Sequence, residues 1–252
     1  AGLLVSLLLL MGYFSQTAHQ LQDSLLLPYP VSDIVTIVEV DDSSLAAYGR
    51  WDQWPRSLHA RLVEQLHLAG ARTVVFDFVF DAETANDQQL AAAIAAAGNV
   101  VQPILTQGDA YHDLEGVLRF EGLILPQPNL LAASAGLGHT SILHDSDGYI
   151  RRVPTVVSAA GQTYDSVAFT ALRHYLGSPL NETAAVENGR LSIVGREIPV
   201  DDHGEMRVYY AGPPAQPDQQ TFNQVRYQDV LSGTVPDELL PNKIVLVGTT
   251  AT

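Results

Sequence analysis

The chain has 252 residues, enough for one or two domains with a sizeable core, and its 46% hydrophobic and 16% charged residues mark neither a disordered nor a highly charged protein. Its 28 acidic residues against 13 basic ones give a formal net charge of −15, a field that repels phosphate backbones and argues against nucleic-acid binding. Cysteine is absent, which excludes disulfides, thiolate metal sites and cysteine nucleophiles and leaves the compartment open.

Residues 2–14, GLLVSLLLLMGYF, are apolar apart from Ser6. A spanning helix needs about 20 such residues, so this run reads as the end of a transmembrane helix. A secretory leader fits less well, since no basic segment and no small-x-small cleavage site accompany it. A buried core helix would have to tolerate four consecutive leucines, Leu7 to Leu10, with no polar face. From Tyr13 to Leu27 polarity rises while helical spacing persists, as for a juxtamembrane helix, and Pro28 and Pro30 end it. The expected division is therefore 1–30 for the membrane end and juxtamembrane helix and 31–252 for one extracytoplasmic α/β domain.

Residues 34–40 read as a strand, 55–68 as a helix with a stripe of Leu58, Leu62, Val63 and Leu66, and 73–80 as a second strand. An alanine-rich helix over 87–97, closed by Gly98, leads to a third strand over 100–105. This alternation argues for a mainly parallel central sheet with helices on both faces. The second half is less regular. A polar loop or hairpin over 107–121 precedes a short helix over 130–135 and a strand over 138–143. Residues 149–157 read as a strand, 166–176 as a helix, 205–210 as a strand and 227–231 as a short helix, with acidic turns at Asp145–Gly148 and Asp201–Gly204 implying antiparallel hairpins. The last apolar run, 243–247, carries no polar side chain on either face after Lys243. Strands buried on both faces lie at the centre of parallel sheets, so it is expected beside residues 34–38 and parallel to them.

Strand ends of such a sheet converge on a crevice where ligands bind. Asp41, Asp42 and Asp81 follow the first two strands and Asp77 lies within the second. Carboxylates so clustered can hold a cation or divide acid and base roles; alternatively Asp42, Ser43 or Ser44 caps a helical turn over 45–48. A buried Asp77 needs a partner, and Arg56 is the one expected. The candidate ligand-binding set is Asp41, Trp54, Arg56, Asp77, Asp81 and Thr249, with no catalytic or metal residue assigned and the cofactor unknown. The Asp145-x-Asp147-Gly148 segment resembles the start of a calcium loop, but the later acidic ligand is missing and Arg151 and Arg152 follow, so it reads as a turn. The eight histidines show no metal-ligand spacing, and no Walker loop, GxGxxG or GxSxG occurs.

Taken in order, several segments resemble the second class of CHASE-type domains, extracytoplasmic sensors of bacterial membrane signalling proteins, over nearly all of 31–252. They are Val40-Asp41-Asp42-x-Ser44, Gly49-Arg50-Trp51 leading to Trp54-Pro55-Arg56, Phe76-Asp77-x-x-Phe80, Gly138-His139, Asp145-x-Asp147-Gly148-x-x-Arg151-Arg152-x-Pro154, Asp229-Val230-Leu231 and Ile244-Val245-Leu246-Val247-Gly248. The pattern departs at Asp52-Gln53, where a shorter, proline-containing link is expected. The resemblance implies a membrane helix before the sensor, more after it, and a cytosolic output domain: a nucleotide cyclase, or a histidine or serine/threonine kinase. It implies a periplasmic or extracellular globular part. A small polar ligand is expected where the strand-end loops converge. A homodimer is expected through residues 13–27, where Phe14, Ala18, Leu21 and Leu25 repeat at helical spacing, since cyclases build their catalytic site from two chains. The competing readings are a membrane-anchored hydrolase using Asp41, Asp77 or Asp81, and a purely structural dimerisation module.

Overall fold

The computed structural model describes residues 31–113, 116–145, 147–180, 184–187, 189–211 and 221–250. The expected membrane and juxtamembrane helices, 1–30, lie outside the described residues. No helix among the described residues is long and apolar enough to cross a membrane.

The first half runs β1 (Val35–Val40), α1 (Asp42–Tyr48), a 3-10 turn (Trp51–Gln53), α2 (Arg56–Leu68), β2 (Thr73–Phe76), α3 (Asp87–Ala97) and β3 (Val100–Gln107). Then come β4 (Tyr111–His112), β5 (Leu118–Phe120), β6 (Gly122–Ile124), α4 (Pro128–Ala133), β7 (Gly136–His139), β8 (Arg152–Pro154), β9 (Val156–Ala159), β10 (Gln162–Asp165) and α5 (Val167–Leu176). The chain continues through β11 (Ala185–Glu187), β12 (Arg190–Ile193), β13 (Arg196–Pro199), β14 (Glu205–Arg207), β15 (Asn223–Arg226), α6 (Tyr227–Ser232) and β16 (Ile244–Thr249).

The main sheet has the order β15-β1-β16-β2-β3, with β7 parallel and β6 antiparallel on β3. β16 lies between β1 and β2, parallel to both, with Val35 opposite Ile244 and Val247 opposite Phe76. The absence of polar side chains from Ile244 to Val247 goes with backbone ladders on both edges and apolar layers over most of both faces, Leu246 alone of the four being exposed. On one side Val38, Val40, Val74, Phe76, Val100, Val245 and Val247 pack with Leu58, Leu62, Val63 and Leu66 of α2 and Leu90 and Ile94 of α3. On the other, Val75, Val101 and Ile244 meet Ala171 of α5, so helices cover both faces. Antiparallel pairing dominates the smaller sheets β10-β9-β5-β4, β11-β12-β13 and β14-β8, with β5 parallel to β9.

Gly138 shows how closely α5 docks. A β-carbon there would lie 2.4 Å from Val167 Cα, so only glycine lets β7 touch the first turn of the helix.

Several boundaries differ from expectation. The second strand stops at Phe76, not residue 80, because Phe78 and Phe80 turn into an aromatic cluster with His59 and Phe76. The short helix begins at Pro128, whose fixed φ suits a first turn. The next strand is Gly136–His139, not 138–143. The strand expected over 149–157 is two short ones, β8 and β9, and that over 205–210 ends at Arg207. β15 has no counterpart in the sequence reading.

Candidate functional site

The parallel register sets the ends of β1, β16 and β2 side by side, with Val40 opposite Thr249 and Asp77 donating its backbone N–H to Val247 O at 2.9 Å. Between this rim and the first turns of α5 lies a cavity of about 350 Å³. Ile37, Val75 and Leu246 form its sheet wall, Val167, Ala168 and Ala171 its helix wall, and Asp77, Gly248, Thr249 and Thr250 stand at its end. The Asp77 carboxylate lies over Gly248, where a β-carbon would sit 3.5 Å from Oδ2. The residue is exposed as a whole, yet nearby protein atoms crowd its carboxyl group, and that desolvation raises its pKa above the ordinary value.

Of the six sequence candidates, only Asp77 and Thr249 line this cavity. Asp41 caps α1: its Oδ1 accepts from Ser44 N at 2.8 Å and Ser44 Oγ at 2.6 Å, and its Oδ2 from Ser43 Oγ at 2.6 Å. The cap is thus Asp41 itself rather than Asp42, Ser43 or Ser44, because the helix starts at Asp42, three residues before the turn expected over 45–48. Partial burial alone would raise the Asp41 pKa, but these hydrogen bonds and Arg226, 3.4 Å away, lower it.

Trp54 is 5% exposed and packs edge-on against Trp51, Tyr48 and Tyr227, donating Nε1–H to Gly49 O at 2.8 Å. Arg56 pairs with Asp87, Nε to Oδ1 at 3.2 Å, not with Asp77. It also stacks over Phe80 at 4.5 Å and donates to Ala82 O. Asp77 is the first residue after its strand rather than inside it. Asp81 is exposed, and its backbone oxygen accepts from Gln127 Nε2.

The Asp145-x-Asp147-Gly148 turn is held by arginine. Arg151 Nη1 lies 2.9 Å from both Asp145 Oδ2 and Asp147 Oδ1, and Arg152 reaches Asp145, Asp201 and Glu205 at 3.3, 3.2 and 3.6 Å. Desolvation opposes ionisation of Asp145 and Asp201, but the hydrogen bonds outweigh it and both pKa values fall below the ordinary one. A carboxylate with a folded pKa below its unfolded value, about 3.9, stabilises the fold above that value and loses the contribution as pH falls through the folded pKa. Buried Asp165 acts oppositely, its pKa raised by desolvation despite Ala184 N and Arg173. His59 and His139 are buried and neutral, with pKa values lowered to about 3 and about 4, whereas in the unfolded chain both take up a proton below about 6.5. The urea midpoint should therefore fall from about pH 6.5 downward and fall further below about 4 as the lowered carboxylates protonate. In Asp145→Asn this last fall should be shallower; an equal fall would show that the network is not the acid-labile element.

Two features carry no local sequence signal. His59 is 2% exposed, with Nδ1 2.9 Å from Tyr227 OH, and burial, with Arg56 nearby, lowers its pKa to about 3. It is a neutral core imidazole. The second is a cleft of about 650 Å³ near β7, β10 and α5, lined by Tyr164, Asp165, Thr170 and Arg173. Its charges answer each other, since Asp165 Oδ2 lies 3.4 Å from Arg173 Nε and Oδ1 accepts from Ala184 N at 2.8 Å. No group of three histidine, aspartate or glutamate residues that could hold a metal ion occurs among the described residues.

The family model of the CHASE2 domain matches residues 1–252, the whole chain. Searches of curated proteins and of solved structures give no match. The chain belongs to the CHASE2 family, whose members are extracellular sensor domains of signalling proteins.

Proposed function

We propose that this CHASE2 domain is the ligand-binding input of a transmembrane receptor, that its ligand occupies the cavity at the strand ends, and that the receptor's output is a cytosolic nucleotide cyclase. The observation that carries the reading is the cavity itself. It opens where parallel sheets place ligands, its volume is within the range of small-molecule sites, and its one charged group, Asp77, has no hydrogen-bond or ion-pair partner among the described residues. The larger cleft is the weaker choice because its buried charges are already paired with protein groups.

The globular part sits outside the membrane, anchored through the apolar residues 2–14, and two copies pair through residues 13–27. Leu21 and Leu25, with Phe14 and Ala18 before them, repeat at helical spacing along one edge of that segment.

Membranes carrying the full-length protein should convert ATP or GTP to the cyclic nucleotide. Ala168→Trp, which fills the cavity from an exposed helix position, should change that output at equal expression. Single cysteines at Ala18 or Leu21 should cross-link on oxidation. Phosphate transfer to histidine, serine or threonine would move the output to a kinase. Neither activity, or an output indifferent to Ala168→Trp, would overturn the reading, and no cross-link anywhere along 13–27 would remove the dimer from it.

A further inference from the structure

Central strands of parallel sheets are covered on both faces, yet Leu246, in the middle of β16, is 36% exposed. Ile37 beside it is half-buried. α5 reaches over Val75, Val101 and Ile244 and leaves an apolar trough along β1 and β16, which is the cavity already described. The lining contains no lysine, arginine, histidine, asparagine or glutamine. Its polar residues stand together at one end: Asp77, Thr249 and Thr250. Thr250 donates to Glu39 Oε2 at 3.1 Å, so the charges at that end, Asp77 and Glu39, are both acidic.

Three ligand classes fit this arrangement poorly. An anion would face Asp77 and Glu39 with no basic side chain to receive it. The positive end of α5 offers little compensation: Ser166 Oγ accepts from Phe169 N at 3.4 Å, and Val167 is pressed against Gly138. A sugar would need many more hydrogen-bonding groups than the walls supply. A wholly apolar molecule would bury a carboxylate without a partner, which is costly. The remaining complement is an apolar body with one cationic end. A protonated amine donates charge-assisted hydrogen bonds to a carboxylate and can reach a threonine hydroxyl as well.

We infer that the cavity binds a small apolar primary amine, a single ring or short chain lying between Leu246 and α5 with its ammonium group on Asp77. The inference rests on the reading of the rim cavity as the ligand site and adds the chemical class. Desolvation of the Asp77 carboxyl agrees with it, since a bound cation relieves the cost of ionising there.

The test is calorimetric titration of the whole chain in lipid nanodiscs with phenylethylamine, 2-phenylethanol and 3-phenylpropanoate, which share a ring and differ in the polar end. Phenylethylamine should bind on the order of ten-fold tighter than the alcohol, and the carboxylate should bind least. Asp77→Asn should bring amine and alcohol to similar affinity. Ala168→Trp should remove binding of both, and Glu64→Gln, on the exposed side of α2, should change nothing. Equal or tighter binding of the alcohol or the carboxylate would overturn the amine class while leaving the cavity as a ligand site. Amine binding indifferent to Asp77→Asn, or weakened as much by Glu64→Gln, would reduce the effect to the chain's net charge and overturn it too. Binding of none of the three would also overturn the class; whether the cavity is the sensor site at all is then read separately, from the output of full-length Ala168→Trp.

Discussion

Replacing Trp54 with alanine should lower the stability of the domain by about 3–5 kcal/mol, the range for truncating a large buried aromatic. The ring centroid lies 4.8 Å from Trp51 and 5.0 Å from Tyr227, and both neighbours belong to the layer that joins α2 and α6 to the sheet. Alanine would leave a void against fully buried Tyr227 and would also leave Gly49 O without its indole donor. Trp54→Phe keeps most of the packing and loses the hydrogen bond, so it should cost on the order of 1 kcal/mol beyond any misfit of shape. Urea denaturation followed by circular dichroism separates the two. An unchanged midpoint for Trp54→Ala, together with a lost response to ligand, would return Trp54 to the binding site.

That contrast shows how far the residues alone could be read. The sequence places Trp54 and Arg56 next to a strand-helix-strand rim, and they are there. Spacing does not say on which side of the sheet they fall. Val38 and Val40 turn toward α2, whereas Ile37 and Leu246 turn toward α5. Trp54 and Arg56, from the segment entering α2, therefore join the aromatic layer, and Asp77 and Thr249 share the opposite cavity. That successive side chains of β1 face opposite sides holds for any strand, but the face that each helix takes is a tertiary fact.

The strands follow the same logic. β16 was legible because its run from Ile244 to Val247 carries no polar side chain, as suits a strand with neighbours on both edges, and β1 beside it is nearly as apolar, with only Thr36 polar before Glu39. β15, with the sequence Asn-Gln-Val-Arg, pairs with β1 along one edge only. Edge strands carry polar residues, so nothing in its composition separates it from a loop. The cap was assigned one to three positions too late because Asp42, Ser43 and Ser44 are all good caps, and only the backbone shows that the helix starts at Asp42 with Asp41 before it. The paired charges Asp165 and Arg173 lie on a strand end and a helix with no motif joining them, so the second cleft gave no signal.

Arg56 and Asp87 are 31 positions apart, and their pairing carries the second large expected effect. The side chains are 14% and 7% exposed, so removing one partner strands a charge in a poorly solvated place. Such losses run to about 3–5 kcal/mol. Arg56→Ala should fall near the lower end, because Asp87 keeps two donors on Thr84: the backbone N–H and the hydroxyl, both at 2.8 Å. Arg56→Lys should recover only part of the loss, since an ammonium cannot hold Asp87 and Ala82 O while stacking on Phe80. In the double variant Arg56→Ala, Asp87→Ala the two losses should not add, and the cycle should give a coupling of about 1–3 kcal/mol.

Acidity gives the independent check. Desolvation opposes ionisation of Asp87, but the Thr84 and Arg56 hydrogen bonds and the Arg56 charge hold its pKa below the ordinary value. The coupling should be full above the unfolded carboxylate value of about 3.9 and should fade as the pH drops through the lowered folded value. A coupling near zero at neutral pH, with the fold intact in Arg56→Ala and the response to ligand gone, would mean that Arg56 serves the signal and not the core. A coupling of the expected size that fades in acid would make it the clasp between the start of α2 and the start of α3, on the side of the sheet away from the Asp77 cavity.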